Sequence, residues 1–294
     1  MWIIFLFAAV IVLLSLQNIC FKQFNRLFMA NTESYFIFSS LYFFLISFIF
    51  LVAGIDTSLF VLPTIALGLL FAVSFICAMF FYMKALENGP LGLSFLFFSA
   101  GMLLPILFGI IVYNEPAPLH KAVGLALLFV AFFISTRGNS GAESGGKLNR
   151  KWVKFILLGS FSNGVIGIAL KMFGTTVSHE AINEFLFLAF GQAAIIALTL
   201  GLILTLKNKS TFTHFRTWPF VLVVLGAGIS TAGGNYIMVQ LSLLVSAIVQ
   251  FPVVSGALVI TSIIASRVLF KEQVTVRHLQ AIAVGVVAIV LLSI

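Results

Sequence analysis

The sequence predicts an all-α integral membrane protein of ten transmembrane helices, built as two inverted five-helix repeats. Three observations predict it: the composition, the length of the apolar runs, and the recurrence of short motifs in two halves. Of 294 residues, 62% are apolar and only 8% are charged, whereas a soluble domain carries about 25% charged residues. A chain with so little polar surface has lipid as its natural solvent. The formal charge of +8 sits mostly between the apolar runs, where membrane topology accounts for it. It does not point to nucleic acid.

A helix needs about 20 mainly apolar residues to cross the hydrocarbon core. Ten runs approach or meet that length: 2–21, 34–54, 61–83, 91–113, 121–136, 153–173, 183–206, 218–240, 246–267 and 278–294. They are continuous rather than alternating, which favours helices over a barrel, because lipid offers a backbone no partners. Trp2, Trp152 and Trp218 each open a run, at the level of the headgroup belt. The first run has no basic residue before it and no small-x-small site after it, so it reads as a membrane helix rather than a cleaved signal.

One connection differs. "RGNSGAESGGKLNRKW", 137–152, is a Gly/Ser/charged linker. It separates a first five-run repeat, 1–136, from a second, 153–294. "ANTESYFIF" (30–38) parallels "AINEFLFLA" (181–189), and Ile-x-x-Lys-x-Phe occurs in "SLQNICFKQF" (15–24) and "GVIGIALKMF" (164–173). Glu115 and Glu272 stand at the start of the last run of each half. Five is odd, so the second copy enters the membrane inverted, as in many secondary transporters. With a cytoplasmic N-terminus, only Lys121 and Lys171 of the 16 Lys and Arg residues fall inside. The positive-inside rule therefore favours both termini outside.

Cys20 and Cys77 fall in or at the end of apolar runs and read as packing residues. His120, His179, His214 and His278 lie in loops or at helix ends, without paired ligand spacing. No enzyme constellation, metal site or cofactor motif is expected. All eight acidic residues lie near run boundaries or in the linker. Polar residues inside the runs are the binding candidates, since in lipid they face the bundle interior or a cavity. Gln17, Asn18, Tyr82, Asn163, Gln192, Asn235, Tyr236 and Gln250 are the substrate-binding set. Interhelical hydrogen bonding is the competing reading. "GAGISTAGGNY" (226–236), "SAGMLLP" (99–105) and "FPVVSG" (251–256) suggest interrupted helices or close packing through small residues. Lys22 and Lys171 end the first and sixth runs, and Glu33 and Glu184 follow across short hairpins. Lys22–Glu33 and Lys171–Glu184 are the expected gate or bracing pairs, against simple snorkelling of the lysines.

The motifs resemble the drug/metabolite transporter superfamily, in particular its EamA-like family, over nearly the whole chain. "QNICFK" resembles the family's first-helix pattern. "FFYMKALENGPLG" with Pro105, Glu115 and Gly124 resembles its third-to-fifth helix pattern, as do "NYIMVQL", Pro252, Glu272 and Gly285 in the second half. The resemblance implies a secondary transporter, exporter or uniporter, that moves a small organic solute such as an amino acid, metabolite or drug by alternating access. It implies cytoplasmic termini, opposite to the charge count. Its small multidrug branch uses a first-helix Glu, and residues 1–32 hold no acid. Alternatives are a lipid-linked substrate carrier or flippase of the same superfamily, and a non-transporting scaffold subunit. The expected setting is a cell membrane, a bacterial plasma membrane. The partners are a small-molecule substrate and the lipid bilayer, not nucleic acid, with monomer and homodimer both open.

Overall fold

The computed structural model describes residues 2–29, 31–88, 98–116, 118–137, 150–176, 181–208, 217–270, 280, 283–285, 287–288 and 291. Among them there is no strand. The helices are α1 (Trp2–Leu27), α2 (Thr32–Ala53), α3 (Leu62–Asn88), α4 (Leu103–Tyr113), α5 (Leu119–Arg137), α6 (Arg150–Thr176), α7 (Ile182–Asn208), α8 (Trp218–Leu244) and α9 (Ala247–Phe270), with 3-10 turns at Thr57–Leu59 and Ala100–Met102. Six of them, α1, α2, α3, α6, α7 and α8, are long and apolar enough to cross a membrane. By length and composition the chain is a multi-pass, all-α membrane protein. Shorter apolar helices at Ala100–Tyr113, Ala122–Ala131 and Ala247–Ser262 coincide with the fourth, fifth and ninth runs. Most of the tenth run lies outside the described residues, as do 91–97 of the fourth.

Helix ends follow local chemistry. Asn31 Oδ1 accepts from the Ser34 N–H (3.0 Å) and the Ser34 hydroxyl (2.7 Å), capping α2. Gly54, at φ 104°, turns the chain out of α2. Asp56 Oδ1 accepts from the Ser58 N–H at 2.9 Å and caps the 3-10 turn. The hydrogen bonds from the Ser58 side chain and backbone hold the exposed Asp56 carboxyl below its ordinary pKa.

The chain divides into two compact units, each drawing on both sequence halves: Met1–Ile76 with Met172–Leu243, and Cys77–Lys171 with Leu244–Ile294. In the first unit α2 and α7 run antiparallel, Ser47 donating to the Phe187 carbonyl at 3.1 Å. Phe43, Phe71, Phe75, Phe185 and Phe190 fill the core as neighbouring rings with centroids 5.5–5.8 Å apart. Such edge and offset contacts add about 0.5–1.5 kcal/mol per pair beyond burial.

The glycines of "GAGISTAGGNY" serve close packing, and α8 runs through them unbroken. A Cβ on Gly226 would lie 2.8 Å from Cys20 Sγ, one on Gly234 2.5 Å from Leu14 Cδ2, and one on Gly228 2.5 Å from Leu45 Cδ2. α1 and α2 nest in that groove. In the second unit, α6 packs on the 99–105 segment through Gly101, Gly164 and Gly167, the last 2.7 Å from Pro105 Cγ when given a Cβ. Here the expected interruption is present, as the 3-10 turn before α4. The interruption expected at "FPVVSG" is not: α9 continues through Pro252. Pro252 falls in the second turn, where its missing N–H removes one early hydrogen bond.

A Cβ on Gly101 would collide with the backbone carbonyl of Ser160, whereas one on Gly233 meets only the end of the Leu13 side chain at 3.0 Å. Gly101→Ala should therefore cost about 1–3 kcal/mol and lower the thermal midpoint clearly more than Gly233→Ala. Thermal unfolding of the purified variants checks this, and equal midpoints would contradict it.

Candidate functional site

The binding candidates fall in both units, and within each unit some of them meet. In the first unit, α1 and α8 are antiparallel, with Leu13, Leu14 and Cys20 against Gly233, Gly234 and Gly226. That register sets buried Gln17 at the level of Ser230 and Thr231. The Ser230 hydroxyl donates to the Gly226 carbonyl at 2.6 Å, and Asn235 Nδ2 to the Thr231 carbonyl at 2.9 Å. Bonds back to the preceding turn satisfy a polar side chain without a second helix. Thr231 Oγ1 and Gln192 Oε1 are buried and have no hydrogen-bond partner among the described residues. Buried groups of this kind have capacity left for a ligand or a water. Tyr236 stacks on Phe50 with ring centroids 6.3 Å apart. Asn18 is half-buried on α1 beside Gln17.

In the second unit Tyr82 and Asn163 meet on Phe98. The Tyr82 and Phe98 rings are 4.6 Å apart, and Asn163 Nδ2 donates to the Phe98 carbonyl at 3.2 Å. Gln250 is fully buried in the first turn of α9.

The charged candidates sit differently from expectation. Lys22 and Lys171 do not end their helices. Each lies between one and two turns inside, because α1 runs to Leu27 and α6 to Thr176. Lys171 does not pair with Glu184. Its Nζ lies 2.6 Å from Glu115 Oε1, with both side chains at most one-tenth exposed. It also donates to the Val245 carbonyl at 3.4 Å. The second Glu115 oxygen, Oε2, accepts from the Ala247 N–H at 2.8 Å. That N–H opens α9, where the helix dipole favours a negative charge.

The sequence builds this node locally. Asn114, at φ 51°, ends α4 in the left-handed region, which Asn tolerates better than most residues. The Glu115 N–H then reaches back to the Gly109 carbonyl at 3.1 Å. Gly109 leaves room for the returning carboxylate, since a Cβ there would lie 2.6 Å from Glu115 Oε2. Glu115 stands at the start of the last run of the first half and is not among the site residues expected from the sequence. The signal was the Asn-Glu-Pro stretch after an apolar run.

Glu184, rather than meeting Lys171, joins Glu33 in clamping α2 against α7. Glu184 Oε1, in the first turn of α7, accepts from the Asp56 N–H at 2.8 Å, just past the end of α2. Asn183 Nδ2 adds a bond to the Gly54 carbonyl at 3.4 Å. At the other end Glu33, in the first turn of α2, accepts from Asn208 Nδ2 at the end of α7. Each glutamate is 3% exposed. Glu33 and Glu184 occupy equivalent positions in the aligned motifs, and each holds the far end of the other's helix. Lys22 is half-buried on α1.

No family model matches the chain, and no curated protein is similar to it. A solved structure described only as "Crystal structure of protein" shares the fold, with a TM-score of 0.73 at 15% identity over 98% of this chain and 94% of that one.

Glu33→Ala and Glu184→Ala each remove the buried acceptor of a bond between α2 and α7 and should each cost about 0.5–1.5 kcal/mol. The two bonds lie at opposite ends of α2, so the double variant should lose the sum of the two. Thermal unfolding measures both. A double variant no worse than either single would mean that the two ends are not separate clamps.

Proposed function

We propose that the chain is a secondary transporter of the EamA-like, drug/metabolite type, with ten spans in two inverted repeats, moving a small organic solute across a cell membrane by alternating access. The observation that carries this reading is the reciprocal clamp of α2 and α7. Equivalent glutamates in the first turns of two antiparallel helices do the same work at opposite ends. That is the arrangement expected when one five-helix unit is duplicated and inverted.

The polar residues embedded in apolar helices supply the recognition chemistry. Thr231 and Gln192 keep buried oxygens without partners among the described residues, while Gln17 and Asn235 lie buried on α1 and α8. These groups are uncharged. They suit a solute recognised by hydrogen bonds with an apolar or aromatic body, and Tyr236 on Phe50 offers a ring face.

Thermal unfolding of the purified protein across amino acids, other metabolites and drugs tests the reading. A ligand that binds only the folded state stabilises it by about 2.7 kcal/mol at a hundred times its Kd. One chemical class should raise the midpoint, and Thr231→Val or Asn235→Leu should weaken that rise about tenfold in apparent affinity, the size of one lost hydrogen bond of about 1.4 kcal/mol. The same class should move into proteoliposomes. Flat midpoints across the panel together with no solute flux would contradict transport.

A further inference from the structure

We propose that Glu115 and Lys171 form a releasable latch, which fastens the 114–116 segment to the junction between α8 and α9 and lets go during the functional cycle. The proposal rests on the transport reading for its purpose and on geometry for its existence.

Glu115 uses both oxygens, one for the Lys171 ammonium at 2.6 Å and one for the Ala247 N–H at 2.8 Å. Lys171 completes the circuit through the Val245 carbonyl at 3.4 Å. The three bonds join the turn after α4, the interior of α6, and both sides of the α8–α9 junction. A static brace would be served as well by apolar packing, because burying two charges costs about as much as their attraction returns. An ion pair differs in having a second stable state. Once water reaches it, both partners are solvated, and each forgoes little by separating.

The anchoring elements suit such movement. The α8–α9 junction is short: only Val245 and Ser246 separate the two helices. Asn114 holds Glu115 on a left-handed turn whose dihedrals can relax. The longest reach in the node, from Lys171 to Val245, is also its weakest bond. Water entry should therefore break the circuit there first, and release is complete once the solvated ammonium also leaves Glu115, which keeps its hold on the start of α9.

Hydrogen exchange on the full chain in lipid nanodiscs, resolved to the Ala247 amide, tests the latch without any substrate. In the native chain that amide should exchange about tenfold or more faster than Val254, two turns into α9, because it opens without the helix unfolding. Lys171→Gln should speed Ala247 about tenfold further and leave Val254 unchanged, although Lys171 does not touch that amide. A cap that acts alone would not respond to Lys171. If Glu115→Gln folds poorly, Glu115→Asp, which keeps the charge with a shorter reach, should show the same acceleration. Equal protection of Ala247 and Val254 in the native chain would overturn the proposal, as would an Ala247 rate indifferent to Lys171→Gln. A faster Ala247 beside an empty ligand panel would instead remove the transport reading and leave the latch standing.

Discussion

Glu115 finds a donor for each of its carboxylate oxygens, and in doing so ties together the turn after α4, α6 and the start of α9. The underlying constraint is that unpaired polar groups cost several kcal/mol in a medium without water. It governs where this chain tolerates polarity at all. Breaking one partner of such a buried pair typically costs about 3–5 kcal/mol, since the other is left charged and alone. Glycine at 109 and asparagine at 114 matter because they permit the turn that delivers the carboxylate.

The same constraint explains much of the rest of the polar inventory. Glu33 and Glu184 are buried but sit in first turns, where they accept from the far ends of α7 and of the α2 connection. Ser230, Asn235 and Ser242 return their donors to carbonyls four residues back on α8. Where no polar partner is offered, small residues let helices approach closely, as Gly226, Gly228 and Gly234 do on α8. Thr231 Oγ1 and Gln192 Oε1, like Ser39 Oγ, Thr64 Oγ1, Glu184 Oε2 and Ser262 Oγ, are buried without a hydrogen-bond partner among the described residues, and these two belong to the binding candidates or lie beside them. For that reason they anchor the binding hypothesis.

The helical class and the six helices long enough to cross a membrane were legible because lipid imposes long, unbroken apolar runs. The ends were less so: α1 and α6 continue past Lys22 and Lys171, since a lysine stem packs along apolar surface and need not stop a helix. The Lys171–Glu184 pairing failed for a related reason. Proximity along a hairpin does not decide which face of a helix a side chain takes, and the partner came from Glu115, far away in sequence. What placed Glu115 was a left-handed Asn114 and the open space at Gly109, details of dihedral and volume that residue patterns do not carry. The glycine-rich stretch admitted two readings, and the distances to Leu14, Leu45 and Cys20 favour packing.

The most direct test of the dependence on Glu115 is a double-mutant cycle on thermal stability in lipid, combining Glu115→Gln with Lys171→Gln. If the two side chains form one buried circuit, each single change lowers stability and the pair together costs less than the sum of the two, by a coupling of about 1–3 kcal/mol. Additive losses would contradict it, and would mean that the two residues stabilise the fold independently.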